Sequence, residues 1–266
     1  MRLDIRYSRT GSGEPLVLIH GIGHRREAWD PVVPLLAADR DVIAVDLPGF
    51  GESPGLPAGM VYDMPTTITN FKRFIDDLGI RPPHIAGNSL GGAIALELGA
   101  AGLARSVIGL APAGFWTAAE RRYAIALLTS LRMSTRIPDA VLRGIAANPR
   151  LRRETIRSIY ARPERIDEER FLGDARAMRD AVAFKPTAAA GKRYHCRAVP
   201  AVPTTIAWGA RDRVLLPRQA DIARRRLPKA VHISLPGCGH VPMGDDPELI
   251  AEVILRGSAA VESDAA

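Results

Sequence analysis

A pentapeptide, Gly87-Asn88-Ser89-Leu90-Gly91, constrains this chain more than any other stretch. It follows the short apolar run His84-Ile85-Ala86 and precedes the helix-like Gly92-Ala93-Ile94-Ala95-Leu96-Glu97-Leu98. A serine at such a strand-to-helix turn is held in strained backbone geometry that lifts its Oγ clear of its surroundings. Glycines two residues before and after it leave room where a Cβ would strike neighbouring backbone as the turn closes. The helix that follows aims its N-terminal N–H groups and positive dipole end at the same point, where developing negative charge is stabilised. A bare G-x-S-x-G occurs by chance in Gly-rich chains. The setting of strand, turn and helix carries the weight.

The rest of the chain repeats that setting on a larger scale. Short apolar runs at 15–19, 41–45, 83–86, 106–110, 203–208 and 230–234 read as strands, several of them covered on both faces. A further strand near 3–8 is expected at an antiparallel edge. Helical patterns lie near 31–38, 66–79, 90–102, 216–227 and 247–256. This alternation predicts an α/β fold, a mostly parallel twisted sheet flanked by helices. Residues 116–196 interrupt it with no convincing strand; segments 118–133, 138–147, 151–161 and 167–184 look helical, punctuated by Pro138, Pro149 and Pro163. These could be extra helices on the sheet. A long insertion at one loop, leaving the alternation intact on either side, instead predicts an all-helical cap. The expected division is a core of 1–115 and 197–256, a cap of 116–196 and a flexible tail of 257–266.

Charge follows the same division. The net charge is +7, but residues 116–196 hold 17 Lys/Arg against 9 Asp/Glu, a net of +8, and the remainder is at −1. The basic helices carry no interleaved aromatics, so solvated arginine faces are expected and a nucleic-acid partner is not. Placed around an entrance, the same charge would favour anionic substrates and weak association with anionic surfaces. The charged start, Met1-Arg2-Leu3-Asp4-Ile5-Arg6, does not read as a signal peptide, and no apolar run reaches membrane-spanning length. Cys196 and Cys238 lack metal-ligand spacing and the histidines are scattered, so a reduced cytoplasmic protein without metal is expected.

A serine hydroxyl is a weak nucleophile until a base, oriented by an acid, takes its proton. Trp208-Gly209-Ala210-Arg211-Asp212 puts an acid just past one expected strand. Pro236-Gly237-Cys238-Gly239-His240 puts a histidine past the next, on a Gly-rich loop able to turn an imidazole inward. The order Ser89, Asp212, His240, each after its own strand, is the order that converges on one edge of a parallel sheet. Asp212 is flanked by Arg211 and Arg213, which could simply pair with it, and Asp46 is its rival.

With these residues in view, the chain resembles the α/β-hydrolase fold family, in particular its members with an inserted helical cap. The resemblance covers nearly everything outside 116–196. It rests on His20-Gly21-Ile22-Gly23, Asp46-Leu47-Pro48-Gly49-Phe50-Gly51-Glu52-Ser53, the serine turn, Trp208-Gly209-x-x-Asp212 and Gly237-x-Gly239-His240. It implies Ser89 as nucleophile, His240 as general base, Asp212 as orienting acid, and the backbone N–H groups of Ile22 and Leu90 as oxyanion donors, with no cofactor. It also implies that Asp46 serves a structural turn. Serine at position 89 weighs against epoxide hydrolases and haloalkane dehalogenases, which use aspartate there. Val241 after His240, and the loop Gly21-Ile22-Gly23-His24, weigh against the carbon–carbon bond hydrolases.

The resemblance therefore implies a hydrolase of a small-molecule carboxylic ester. Thioester or amide hydrolysis, acyl transfer, perhydrolysis and, less favoured, carbon–carbon bond hydrolysis are rivals on the same triad, and a binding protein with a vestigial triad is a rival of another class. His20 is expected to hold its loop by hydrogen bonding and Cys238 to be a small buried packing residue. His24, Phe115, Trp116 and Val241 are candidate pocket-lining residues.

Overall fold

Strands with no polar face must be covered on both sides, and five of the six apolar runs are largely buried in this way, the sixth lying partly exposed at the sheet's edge. The computed structural model describes residues 4–259. Its strands are β1 (Tyr7–Thr10), β2 (Glu14–Ile19), β3 (Arg40–Val45), β4 (His84–Asn88), β5 (Ser106–Leu110), β6 (Thr204–Gly209) and β7 (Val231–Leu235). They form a 7-stranded sheet in the order β1-β3-β2-β4-β5-β6-β7. Only the β1–β3 pairing is antiparallel. The edge strand thus exists, but begins at Tyr7 rather than near residue 3, and residues 1–3 lie outside the described part.

Alternate residues of each strand feed separate cores. Val17, Ile19, Ile43 and Val45 pack in one apolar cluster, while Leu16, Leu18, Val42 and Ala44 pack in the other. The helices on the sheet are α1 (Val33–Leu36), α2 (Met64–Leu78), α3 (Leu90–Ala100), α9 (Gln219–Arg226), α10 (Pro242–Asp245) and α11 (Pro247–Ala259). Local chemistry sets their ends. Asp63 accepts the Thr66 N–H at the start of α2, and Gly79, at φ 62°, closes it in the left-handed region. The helix expected near 31–38 shrinks to the single turn of α1, preceded by a 3₁₀ turn at Arg26–Trp29.

Between β5 and β6 the described chain has helices and no strand: α4 (Ala118–Ser134), α5 (Asp139–Ala147), α6 (Pro149–Ile156), α7 (Glu168–Asp180) and α8 (Phe184–Gly191). Thr117 and Glu120 form a reciprocal capping box on α4. The single helix expected over 167–184 is instead broken at Ala181, where ψ is 102°. Arg132, buried on α4, donates to the carbonyls of Met178, Arg179 and Ala181 and so satisfies the exposed end of α7. Helix α8 is not among the helices expected from the sequence; Pro186 stands in its first turn, where a proline removes no helical hydrogen bond.

The expected tail boundary at 257 is also displaced. Helix α11 runs to Ala259, with Gly257 and Ser258 buried. A Cβ on Gly257 would stand 2.8 Å from Ile108 Cγ1, so glycine lets this helix lie close to β5. Ser258 Oγ accepts from Arg40 Nε at 3.3 Å and Nη2 at 3.2 Å. The remainder of the expected tail, 260–266, lies outside the described residues.

Candidate active site

Ser89 sits between the last residue of β4 and the first of α3, with φ 57° and ψ −114°. It is one of two non-glycine residues with positive φ among those described. Such a conformation is costly for a residue with a Cβ and persists only where its surroundings enforce it. The enforcement is visible: Ser89 N donates to Leu110 O at 2.9 Å, and Ser89 O accepts from Ala113 N at 3.0 Å. A Cβ on Gly87 would run into the carbonyl of Gly91, and one on Gly91 into the carbonyl of Ile19. Both glycines are therefore demanded by packing at the turn.

The loops after β6 and β7 bring an acid and an imidazole together. His240 Nδ1 lies 2.8 Å from Asp212 Oδ2, with both side chains buried. A carboxylate can only accept, so Nδ1 carries the hydrogen and Nε2 is left to accept. The second Asp212 oxygen accepts from the N–H groups of Val214 and Leu215, each at 2.8 Å. Neither Arg211 nor Arg213 pairs with Asp212 among the described residues; Arg213 instead donates to the carbonyl of Arg157. Trp208 Nε1 donates to Leu215 O at 2.8 Å and ties the acid's loop to its strand.

Asp46 is occupied elsewhere. Its carboxylate takes the N–H of Arg26 at 2.7 Å, the N–H of Glu52 at 2.9 Å and the guanidinium of Arg26. Nearby, Leu47 N donates to His20 Nε2 at 3.0 Å, which leaves His20 Nδ1–H to donate to Gly21 O at 2.7 Å. Burial lowers the His20 pKa to about 4, keeping the ring neutral as this bridge requires.

Two residues that sequence reasoning missed hold the serine and histidine loops in register. Asn88 Nδ2 donates to His240 O at 2.9 Å and to Leu110 O at 3.2 Å. Asp245, buried on α10, accepts from the N–H groups of Gly239 (2.7 Å), Arg162 (2.7 Å) and Ala161 (3.1 Å). Its burial raises the carboxyl pKa, against the opposing pull of those backbone donors. The available signal was an acid shortly after the histidine. Cys238, on the same loop, is a buried free thiol pushed up to about 12 by desolvation.

Ser89, Ile22 and Leu90 share the wall of one cavity of about 330 Å³. Neither the Ile22 nor the Leu90 N–H donates to a protein acceptor among the described residues. The far walls come from α2, α4 and α8, and include Phe71, Leu128 and Phe184. Of the candidate lining residues, Trp116 is on this wall and the other three are not. Phe115 and Val241 are buried in the two apolar cores. His24 faces a separate cavity of about 80 Å³ and stands 3.8 Å from Asp174, with its pKa lowered by burial. The described residues contain no cluster of metal-binding side chains and no helix long and apolar enough to cross a membrane.

The profile of the alpha/beta hydrolase family matches residues 16–253. The chain is 30% identical over 256 residues to the dihydrolipoyllysine-residue acetyltransferase component of the acetoin cleaving system of Pseudomonas putida, a match covering 91% of this chain and 63% of that protein. It is 28% identical over 251 residues to lipase 1 of Psychrobacter immobilis, covering 89% and 75% of the two chains. The crystal structure of a membrane phospholipase A, a bacterial virulence factor, superposes with a TM-score of 0.75 at 27% identity, covering 98% of this chain and 85% of that one.

Proposed function

The chain belongs to the alpha/beta hydrolase family, and we propose that it hydrolyses carboxylic esters through an acyl-enzyme on Ser89. One observation carries this reading: a buried His240–Asp212 pair at 2.8 Å, tied through Asn88 to a strained serine that opens on a cavity. His240 Nε2 takes the Ser89 proton as Oγ attacks the ester carbonyl, and Asp212 stabilises the imidazolium that forms. The tetrahedral oxyanion accepts from the Ile22 and Leu90 N–H groups, both without protein partners. His240 then returns its proton to the departing alkoxide. A water, activated by the same nitrogen, releases the acid and restores Ser89. In this reading the inserted helices are a cap, since α4 and α8 share the cavity with Ser89.

The lipase and phospholipase names among the similar proteins support an ester rather than an amide. A panel of p-nitrophenyl esters, acyl-CoA thioesters and anilides tests it, with Ser89→Ala as control. Esters should be cleaved fastest, and the variant should lose ~10⁴-fold or more in kcat with its circular dichroism unchanged. More than a tenth of wild-type turnover in Ser89→Ala, or thioesters preferred over esters, contradicts the proposal.

A further inference from the structure

One amide lies among the side chains that line the Ser89 cavity, most of them apolar, with Asp63, Thr67, Thr187 and Arg193 also polar. Asn70 on α2 is 3% exposed and lines the same cavity as Ser89, beside Leu47, Phe71 and Ile94. Its Oδ1 is buried and accepts no hydrogen bond. Most buried polar side-chain atoms in folded proteins have a partner, because leaving one unmade forfeits its hydration without return. Leucine has nearly the same shape and would complete the wall without that penalty. Tyr160 and Asp174 carry unpartnered buried atoms on the smaller cavity beside His24, away from Ser89, while Trp29 and Gln219 line neither cavity. Among the described residues that line the Ser89 cavity, Asn70 is the one with an unpartnered buried side-chain atom.

We infer that Asn70 is a specificity-determining residue that accepts a hydrogen bond from a hydroxyl carried on the substrate's acyl chain. The preferred substrate class is then an ester of a hydroxylated, otherwise apolar acid, which deepens the ester-hydrolase reading and rests on it. A hydroxyl suits the site because it donates to Oδ1 and can accept from the amide nitrogen, so it is matched in either orientation of the amide. The cavity of about 330 Å³ has room for an acyl chain of medium length. A plain alkyl chain of that length would fill the space and strand the amide. That is the asymmetry by which a hydrogen-bonding pocket rejects an analogue lacking the group.

The test compares p-nitrophenyl octanoate with its monohydroxylated positional isomers, on wild type and on Asn70→Leu. At least one isomer should exceed octanoate by ~10-fold in kcat/KM on wild type. In Asn70→Leu that preference should fall below about twofold while octanoate improves. A wild type that prefers no isomer, or an Asn70→Leu that keeps the preference, overturns the inference and leaves Asn70 solvated by water. A parallel measurement separates this from failure of the ester reading: calorimetric affinity of the Ser89→Ala protein for octanoic acid and for the hydroxyoctanoic acids. Tighter binding of a hydroxy acid supports the inference even where no ester is turned over, and equal binding overturns it. This arm also decides the matter where Asn70→Leu does not fold.

Discussion

At the carboxyl end of the sheet, the groups that place Ser89, Asp212 and His240 are largely backbone. Between β5 and β6, the groups that place the helices are side chains. Asp212 is held by two N–H groups, the serine turn by Leu110 and Ala113, and His240 N by the carbonyl of Ile159 at 2.8 Å. In the helical region, Arg132 satisfies carbonyls at the end of α7, Asp139 gathers Arg176 and Arg179, and Glu120 pairs with Arg218. Backbone-built geometry demands particular residues in a particular order, because a Cβ in the wrong place cannot be accommodated. Side-chain-built geometry is satisfied by many combinations of Ala, Leu and Arg. In the proposed reading the first region fixes the chemistry, and the second sets what the chemistry acts on.

The largest effect that would break this contrast concerns two buried acids at the sheet's edge. Asp212→Asn should lower kcat by ~10⁴-fold, because it presents the wrong hydrogen-bonding face to His240, with little change in unfolding midpoint. Asp46→Asn should keep kcat within about tenfold but cost roughly 3–5 kcal/mol, since it removes one partner of the buried pair with Arg26. Steady-state kinetics and urea unfolding on both variants decide it. If Asp46→Asn abolishes turnover in a well-folded protein while Asp212→Asn does not, the assignment of the acid is wrong.

Legibility in the sequence divides along the same line. Gly87 and Gly91 could be read as obligatory because any side chain there meets backbone, and the structure gives each such a neighbour. Parallel strands were legible as uninterrupted apolar runs. Helix ends in the inserted region were not. The break at Ala181 is met by Arg132 reaching across from another helix, and α8, with Pro186 in its first turn, was not among the expected helices. The lining of the cavity was the least legible part. Trp116 and Phe115 are adjacent in sequence, yet one faces the cavity and the other the core. Asn70 gave no signal at all, because an Asn within an amphipathic helix reads as a solvent-facing residue until its burial is known.

A smaller effect sharpens the account of the backbone-built region through pH. The His20 bridge from Gly21 O to Leu47 N–H needs a neutral ring, and burial lowers its pKa to about 4, below the ~6.5 of an unfolded histidine. The unfolded state therefore binds the extra proton first as pH falls. Stability contributed by this site should be complete above ~6.5 and fall as pH drops toward ~4, by roughly 3 kcal/mol. Chemical denaturation of wild type and His20→Gln across that window checks it. The variant should show a shallower loss, and identical slopes would contradict the neutral bridge.

The smallest expected effect belongs to the inserted helices. Their excess positive charge should give a matched anionic ester a few-fold advantage over a neutral one at ~0.01 M salt, fading by ~0.5 M as screening shortens its reach. Parallel salt dependence of kcat/KM for the two esters would leave those arginines with the structural duties already visible at Arg132 and Asp139.

In the proposed reading the strained Ser89 is a nucleophile activated by His240. Its most direct test is to treat the native protein with a fluorophosphonate and map the modified peptide by mass spectrometry. Stoichiometric modification at Ser89 is expected in wild type, with loss of that labelling in His240→Ala. Modification at another residue, or an unlabelled Ser89 in a protein that still turns over esters, would contradict it.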